Sequence, residues 1–283
     1  PWGAVTLHHV AARNLLAGGV HYRDVFDTNL PGFVWALAGV RAVFGWSVEA
    51  VRVVDLLVVV GIVLLLDRLA ARAGGTPWSR AWAVAGAAAF YPFTNESVHA
   101  QRDVWMTLPA AAAVLLRVRR LESDSPSGFA RVVLEGALWG LAVWVKPHVV
   151  VPAAAVWALT ASRAAAGGWR RFAADLLGNV VGGGLVGLAG VGYLVASGTW
   201  PAFHEVFTVW NTGYAAQMWS ELPLRVDAQL QYFRPWGYLQ AVAVPVAVLA
   251  VVDARPWSPR PRPGPVVRLL PGWLWDAGAD DRT

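Results

Sequence analysis

The stretch HYRDVFDTNLPGFVWALAGVRAVFG, His21 to Gly45, decides how the whole chain is read. Its first half, His21 to Gly32, is turn-rich and polar, with Asp24 and Asp27 standing beside Tyr22 and Arg23. Its second half is an apolar helix that opens at Pro31 and closes at Gly45, the usual placing of a helix-starting proline and a helix-ending glycine. About fifteen residues of helix fall short of the roughly twenty that cross a bilayer. The segment therefore reads as interfacial or re-entrant, and this sets the side on which every later loop lies.

The composition is that of a membrane protein. Hydrophobic residues make up 57% of the 283 and charged residues 14%, against about a quarter charged in a soluble domain. Mean hydropathy is +0.46. Seventeen tryptophans suit helix ends at bilayer interfaces. The absence of cysteine excludes disulfides and thiolate metal sites. The net charge of +5 comes almost wholly from arginine, since Lys146 is the only lysine. Arginines gathered in short loops report topology and not nucleic-acid binding.

Leu7 to Ala17 reads as a short amphipathic surface helix carrying His8, His9 and Arg13. Beyond the decisive stretch, Val51 to Leu66 is a crossing that ends in Asp67, Arg68 and Arg72, and Ala81 to Phe93 returns. The loop TNESVHAQRD, Thr94 to Asp103, precedes a helix from Val104 to Leu116 that ends in Arg117, Arg119 and Arg120. Val132 to Ala161 is apolar except at Lys146-Pro147-His148, where proline predicts a break between two short helices. Asp175 to Ala196 is a crossing whose glycines, Gly182 to Gly184, Gly187, Gly190 and Gly192, allow close packing. A polar and aromatic loop covers Ser197 to Trp236, and Gly237 to Val252 crosses back.

The positive-inside rule then puts the loops at Arg68–Arg80, Arg117–Arg131, Arg163–Arg171 and Arg255–Arg268 in the cytoplasm. The polar segments around Asp24 and Asp27, Thr94–Asp103, Lys146 and Ser197–Trp236 fall outside. The expected fold is all-α: a polytopic transmembrane bundle over residues 1–252, with short interfacial helices in the first outer loop, and a Pro/Arg-rich tail over 253–283. The chain opens at Pro1 without a methionine and reads as a fragment.

Three segments together resemble the polyprenyl- or dolichyl-phosphate-sugar glycosyltransferases of the GT-C class, in the family of protein O-mannosyltransferases and bacterial aminoarabinose transferases. Ala11 to Arg52 is similar to that family's first outer loop and following helix. AQRDVWMTLPA, Ala100 to Ala110, resembles its second outer loop, with an acidic residue at the head of a helix. WVKPHVVVPA, Trp144 to Ala153, resembles the Lys-Pro break of bacterial members. Order and spacing carry the likeness from Ala4 to Ala161. There are departures: Leu30-Pro31 stands where the family often has Pro-Pro, and residues 1–20 contain no carboxylate where the family's main catalytic acid is expected. The resemblance implies an integral membrane enzyme that moves a sugar from a polyprenyl-phosphate donor to a lipid, glycan or protein acceptor on the extracytoplasmic face. A divalent cation is an open possibility. A transporter or lipid flippase, or an inactive remnant of the family, are the alternatives.

Such a transfer needs a carboxylate to take the acceptor's proton and cations to hold the departing phosphate. Asp24, Asp27 and Asp103 are the candidate carboxylates. Asp24 and Asp27 also suit plain turn capping, and Asp103 suits a helix N-terminus by its charge alone. Arg102, Lys146, His148 and Arg23 are candidates for phosphate. A lysine within an apolar span is costly unless it is used or snorkels. Tyr22, Gln101, Trp210 and Tyr214 are candidates to line the substrate site, interfacial anchoring being the simpler account of the aromatic loop. His8 and His9 are adjacent and point to different helix faces, so no shared metal site is expected.

Overall fold

The computed structural model describes residues 3–94, 98–122 and 128–213, with 238 and 242, the side chains of 3, 4, 162–164 and 166 excepted. Among the described residues the chain is all-α. Its helices are α1 (Gly3–Leu16), α2 (Gly32–Phe44), α3 (Val48–Arg72), α4 (Pro77–Phe93), α5 (Arg102–Glu122), α6 (Phe129–Val145), α7 (Val150–Ala166), α8 (Trp169–Ala196) and α9 (Trp200–Glu205). The expected crossing Gly237–Val252 and the tail lie outside the described residues, apart from Tyr238 and Val242.

Local chemistry sets the helix ends. The Ser47 hydroxyl caps α3 by accepting from the Ala50 amide at 3.1 Å, and Thr76 caps α4 through the Ser79 amide at 3.2 Å, each satisfying an orphan donor of the first turn. Gly45 ends α2 at φ 78°, a left-handed backbone that suits glycine. At Lys146 the backbone is extended, and Pro147 opens a 3-10 turn, Pro147–Val149, between α6 and α7. That is the break the Lys-Pro pair predicts.

Several helices outrun the sequence expectation. α3 and α5 carry the arginines that were placed in loops, because a helix whose ends pair their charges gains by continuing. Asp67 of α3 takes Arg80 of α4 at 2.6 Å, and Arg72 of α3 meets Glu122 of α5. Ser197–Trp236 is not wholly a loop. Trp200–Glu205 is helical and runs into a π-helical turn, Val206–Trp210. Nor does α1 merely lie on a surface, since Val5, His8, Ala11 and Ala12 are buried. Val5, Ala11 and Ala12 pack with Phe33, Val34 and Leu37 of α2, Val51 of α3 and Trp105 of α5 in one apolar core, and His8 meets the Phe33 ring edge-on.

α8 is the described helix long and apolar enough to cross a membrane, with a mean hydropathy of 1.6 over its best window. Leu177, Val180, Leu185 and Leu188 stand exposed along it; such an exposed apolar run suits lipid as its solvent. Its other face meets α6 through glycine. A Cβ at Gly182 would overlap the Val133 carbonyl, and one at Gly190 would overlap the Trp144 ring. Gly184, Gly187 and Gly192 face open space, so half of the glycine run serves the close approach.

Candidate functional site

The two ends of the bundle hold different polar clusters. At the end bearing the arginine-rich turns, Arg117 and Arg120 of α5 interlock with Glu135 of α6 and Asp175 of α8. Thr160 and Trp157 of α7 add bonds to Arg117 and Asp175. Arg117, Glu135 and Asp175 are at most 2% exposed. Two positive and two negative charges cancel, which is the condition for tolerating ions in a dry interior. Sequence reasoning read Arg117 and Arg120 as loop cations and passed over Glu135 and Asp175. Lone carboxylates within apolar runs were the signal available.

At the opposite end, α5 begins at Arg102 and presents Asp103 in its first turn, where a carboxylate is favoured by the helix dipole. Lys146, extended at the break between α6 and α7, forms an ion pair with Asp103. Asp103 keeps about half of its side chain exposed. His148 follows one residue beyond Pro147, and burial first, then Lys146 and Arg102, hold its pKa below the usual histidine value against the opposing pull of Asp103. Arg102, Asp103, Lys146 and His148 therefore share one neighbourhood, in which Asp103 has already found its cation.

Asp55 fixes the head of α5. It is 3% exposed on α3. Its Oδ2 accepts from the Tyr91 hydroxyl at 2.5 Å and the Ala100 amide at 3.0 Å, and its Oδ1 from the Trp105 indole at 2.8 Å. Ala100 sits at φ 53°, a left-handed conformation that alanine adopts at a cost. Three bonds to one buried carboxylate hold that turn, and with it the position of Arg102 and Asp103. Asp55 was overlooked in the sequence because it lies inside the segment read as a plain crossing.

The first outer loop separates its two carboxylates. Asp24 is turned back on its own turn, accepting from the Val20 amide at 2.7 Å and pairing with Arg23 at 2.7 Å. The Arg23 side chain is 65% exposed, so this pair is a solvated cap. Asp27 is 1% exposed. Its Oδ1 accepts from the amide and side chain of Asn29, at 3.0 and 2.6 Å. Its Oδ2 faces His21 Nε2 at 3.6 Å and His8 Nε2 at 3.9 Å. Burial alone would push this carboxyl up, but the two imidazoles and the Asn29 amide outweigh it and hold the pKa low. Tyr22, at φ 69°, stacks on His21 and donates to the Asn29 carbonyl at 2.5 Å. Tyr22 and Asp27 thus order the loop from within. Trp210 packs edge-on against Phe26 and remains exposed. Gln101 lies in the turn just before α5, and Tyr214 lies outside the described residues. No group of three or more His, Asp or Glu side chains among the described residues is arranged to hold a metal ion.

An apolar groove of about 960 Å³ lies between α1, α2, α5, α6 and α8. Its walls include Trp35, Trp105, Trp144, Val145 and Tyr193. The family model of dolichyl-phosphate-mannose-protein mannosyltransferases matches residues 29–181, just over half of the chain. The chain belongs to that family. The stretch matched to the mannosyltransferase model contains Asp55, Gln101, Arg102, Asp103, Lys146 and His148, whereas Tyr22, Arg23, Asp24, Asp27, Trp210 and Tyr214 fall outside it. No curated protein and no solved structure matches the chain.

Proposed function

We propose that this member of the mannosyltransferase family is a polytopic membrane glycosyltransferase that takes a sugar from a polyprenyl-phosphate donor on the extracytoplasmic face. The observation that carries this reading is the Asp103–Lys146 pair with Arg102, close in sequence to Trp105 and Val145 of the apolar groove's wall. The groove would take the isoprenoid chain. Lys146 and Arg102 would hold the phosphate, with His148 at the edge. An acceptor oxygen or nitrogen would attack the anomeric carbon as the bond from that carbon to the phosphate oxygen breaks. A carboxylate takes the acceptor's proton, and the polyprenyl phosphate leaves with the electron pair, its charge met by the two cations. Asp103 is the exposed carboxylate at this spot, and phosphate arriving at Lys146 would release it from its present partner. Asp27 and Asp24 are occupied in building the loop and support the site from there.

The transporter alternative would need polar groups in the helices that are open to a cargo. Two of the buried polar groups in the helices are closed on their partners: Asp55 holds three donors, and Arg117, Arg120, Glu135 and Asp175 cancel. The deciding experiment is transfer of labelled sugar from membrane polyprenyl-phosphate donors by the full-length protein, wild type against Asp103→Asn and Lys146→Ala. Loss of transfer in both variants, at normal membrane levels, is expected. Full transfer by both would sink this placing of the site, and absence of transfer by wild type with substrate-dependent flux in vesicles would favour a transporter.

A further inference from the structure

A second apolar groove, of about 550 Å³, runs on the α7 side of the α6–α8 seam. On α8, Gly183, Gly187 and Val191 line it, while Val186, Ala189 and Gly190 line the first groove. Residues four apart share a helix face, so the two grooves lie against different faces of α8. Trp144 is a wall of both. Its indole donates to the Val186 carbonyl at 3.1 Å, and its ring fills the place that a Cβ at Gly190 would take. It stands as a pinned partition between them.

The second groove has two unlike ends. One is marked by Leu30 of the first outer loop, Trp144 and Val150. Trp144 and Val150 bracket Lys146, Pro147 and His148 in the chain, so the break lies at this end. The other end is marked by Glu135, Trp157 and Leu176. Along α8 the lining runs from Leu176 to Val191, about 22 Å at the helical rise. That is more than half of the roughly 30 Å hydrocarbon core of a bilayer. Val150, Leu176 and Val180 on its rim are exposed. Gly187 opens on the groove, since a Cβ there would meet nothing within 4 Å. Packing gives no reason for a residue that weakens a helix, whereas a hydrocarbon chain lying in the groove does.

Charge sets the direction of such a chain. At the Glu135 end two arginines and two carboxylates cancel. At the break, the charges that act on His148 are Lys146, Asp103 and Arg102, two cations against one carboxylate. An anionic head group is drawn to the break. Taking sugar transfer from a polyprenyl-phosphate donor as the reaction, we propose that the second groove holds a hydrocarbon chain of the acceptor. The acceptor is then a membrane lipid whose anionic head group bears a free hydroxyl or amine. Donor and acceptor chains lie on the two sides of Trp144, and their head groups meet at the break. There the hydroxyl or amine bonds to the anomeric carbon as that carbon's bond to the phosphate oxygen breaks. The proton goes to a carboxylate, and the electron pair leaves with the polyprenyl phosphate. A polypeptide or a free glycan as acceptor would leave this groove without an occupant.

The test is transfer of labelled sugar from a polyprenyl-phosphate donor in native membrane vesicles, with the full-length protein present or deleted, where lipid, protein and soluble-glycan acceptors are all at hand. Protein-dependent label is expected in a lipid that separates from the donor on thin-layer chromatography. Gly187→Phe plugs the groove and should cut that product roughly tenfold or more, since even one methylene too many in an apolar pocket is felt on that scale. Gly187→Leu should act likewise. Gly184→Phe, at a position that meets nothing within 4 Å and lines neither groove, should leave it unchanged. Label confined to protein or soluble glycan overturns this acceptor and leaves sugar transfer standing. Lipid product unchanged in both Gly187 variants overturns it as well. Should neither variant reach the membrane, the class of the wild-type product decides alone. No transfer by wild type to any acceptor overturns the sugar-transfer reading itself, and this acceptor with it.

Discussion

Lys146 and Asp103, 43 residues apart in the chain, meet as an ion pair at the end of the bundle where α5 begins and the α6–α7 break lies. Because the sequence has no cysteine, their proximity can be measured without any activity. Cysteines placed at 103 and 146 should couple through a short bifunctional thiol reagent, giving a shift on a gel after cleavage between them. A control pair at 103 and 188 should not couple, since Leu188 faces outward from α8. Equal coupling in both pairs would mean that the break does not approach α5.

Asp55 should act on the site without touching it. Asp55→Asn keeps the shape but turns one acceptor oxygen into a donor that faces Tyr91, Ala100 or Trp105. The turn at Ala100 loses support, and its amide should exchange with deuterium at least tenfold faster, the loss of one buried bond. Tyr91→Phe, which removes one of three donors, should have a smaller effect. Unchanged exchange at residues 98–101 in Asp55→Asn would remove its positioning role.

The Arg117, Arg120, Glu135 and Asp175 cluster should be costly to break and cheap to replace. Glu135→Leu strands two arginines on one carboxylate and should cost about 3–5 kcal/mol in reversible unfolding. Replacing Arg117 and Glu135 together by Met and Leu restores neutrality with Arg120 and Asp175, and should recover most of that loss. A double variant worse than the sum of the single ones would contradict the ion-pair account.

Gly182 and Gly184 offer a paired comparison on α8. Gly182→Ala drives a methyl into the Val133 carbonyl, a backbone atom that cannot swing aside. It should lower the midpoint of unfolding clearly. Gly184→Ala meets nothing within 4 Å and gains helix propensity, so it should be neutral or slightly stabilising. The same outcome for both would show that α6 and α8 do not pack as described.

Two histidines make the docking of α1 sensitive to acid. Burial, then Arg41 and His8, push the His9 pKa down to about 4, and burial chiefly pushes His8 down as well. A histidine lowered on folding binds its proton more readily when unfolded. Its contribution is present above the ordinary value near 6.5 and is lost as pH falls toward 4. Thermal unfolding should therefore occur earlier at pH 5 than at pH 7, and His9→Gln should flatten that difference. An unfolding temperature equal at both pH values would refute the link.

What the sequence by itself determined is local or compositional. The apolar content points toward a membrane, and among the described residues α8 is long and apolar enough to cross one. The end of α2 at Gly45 and the break at Pro147 follow from backbone chemistry that acts within a few residues. Lys146 and Asp103 stood out singly, as charges in places where charge is costly. Only the tertiary structure decided which charge answers which. Hydrophobic periodicity tells how a helix turns, not which neighbour it turns toward. Arg117 therefore looked like a topological marker until Glu135 and Asp175 appeared beside it, and Asp55 looked like one polar residue in a crossing until Tyr91, Ala100 and Trp105 closed on it. Asp24 and Asp27, alike on paper and three residues apart, part company for the same reason. One caps a solvated turn, while the other is buried between two histidines by the packing of α1 against α2.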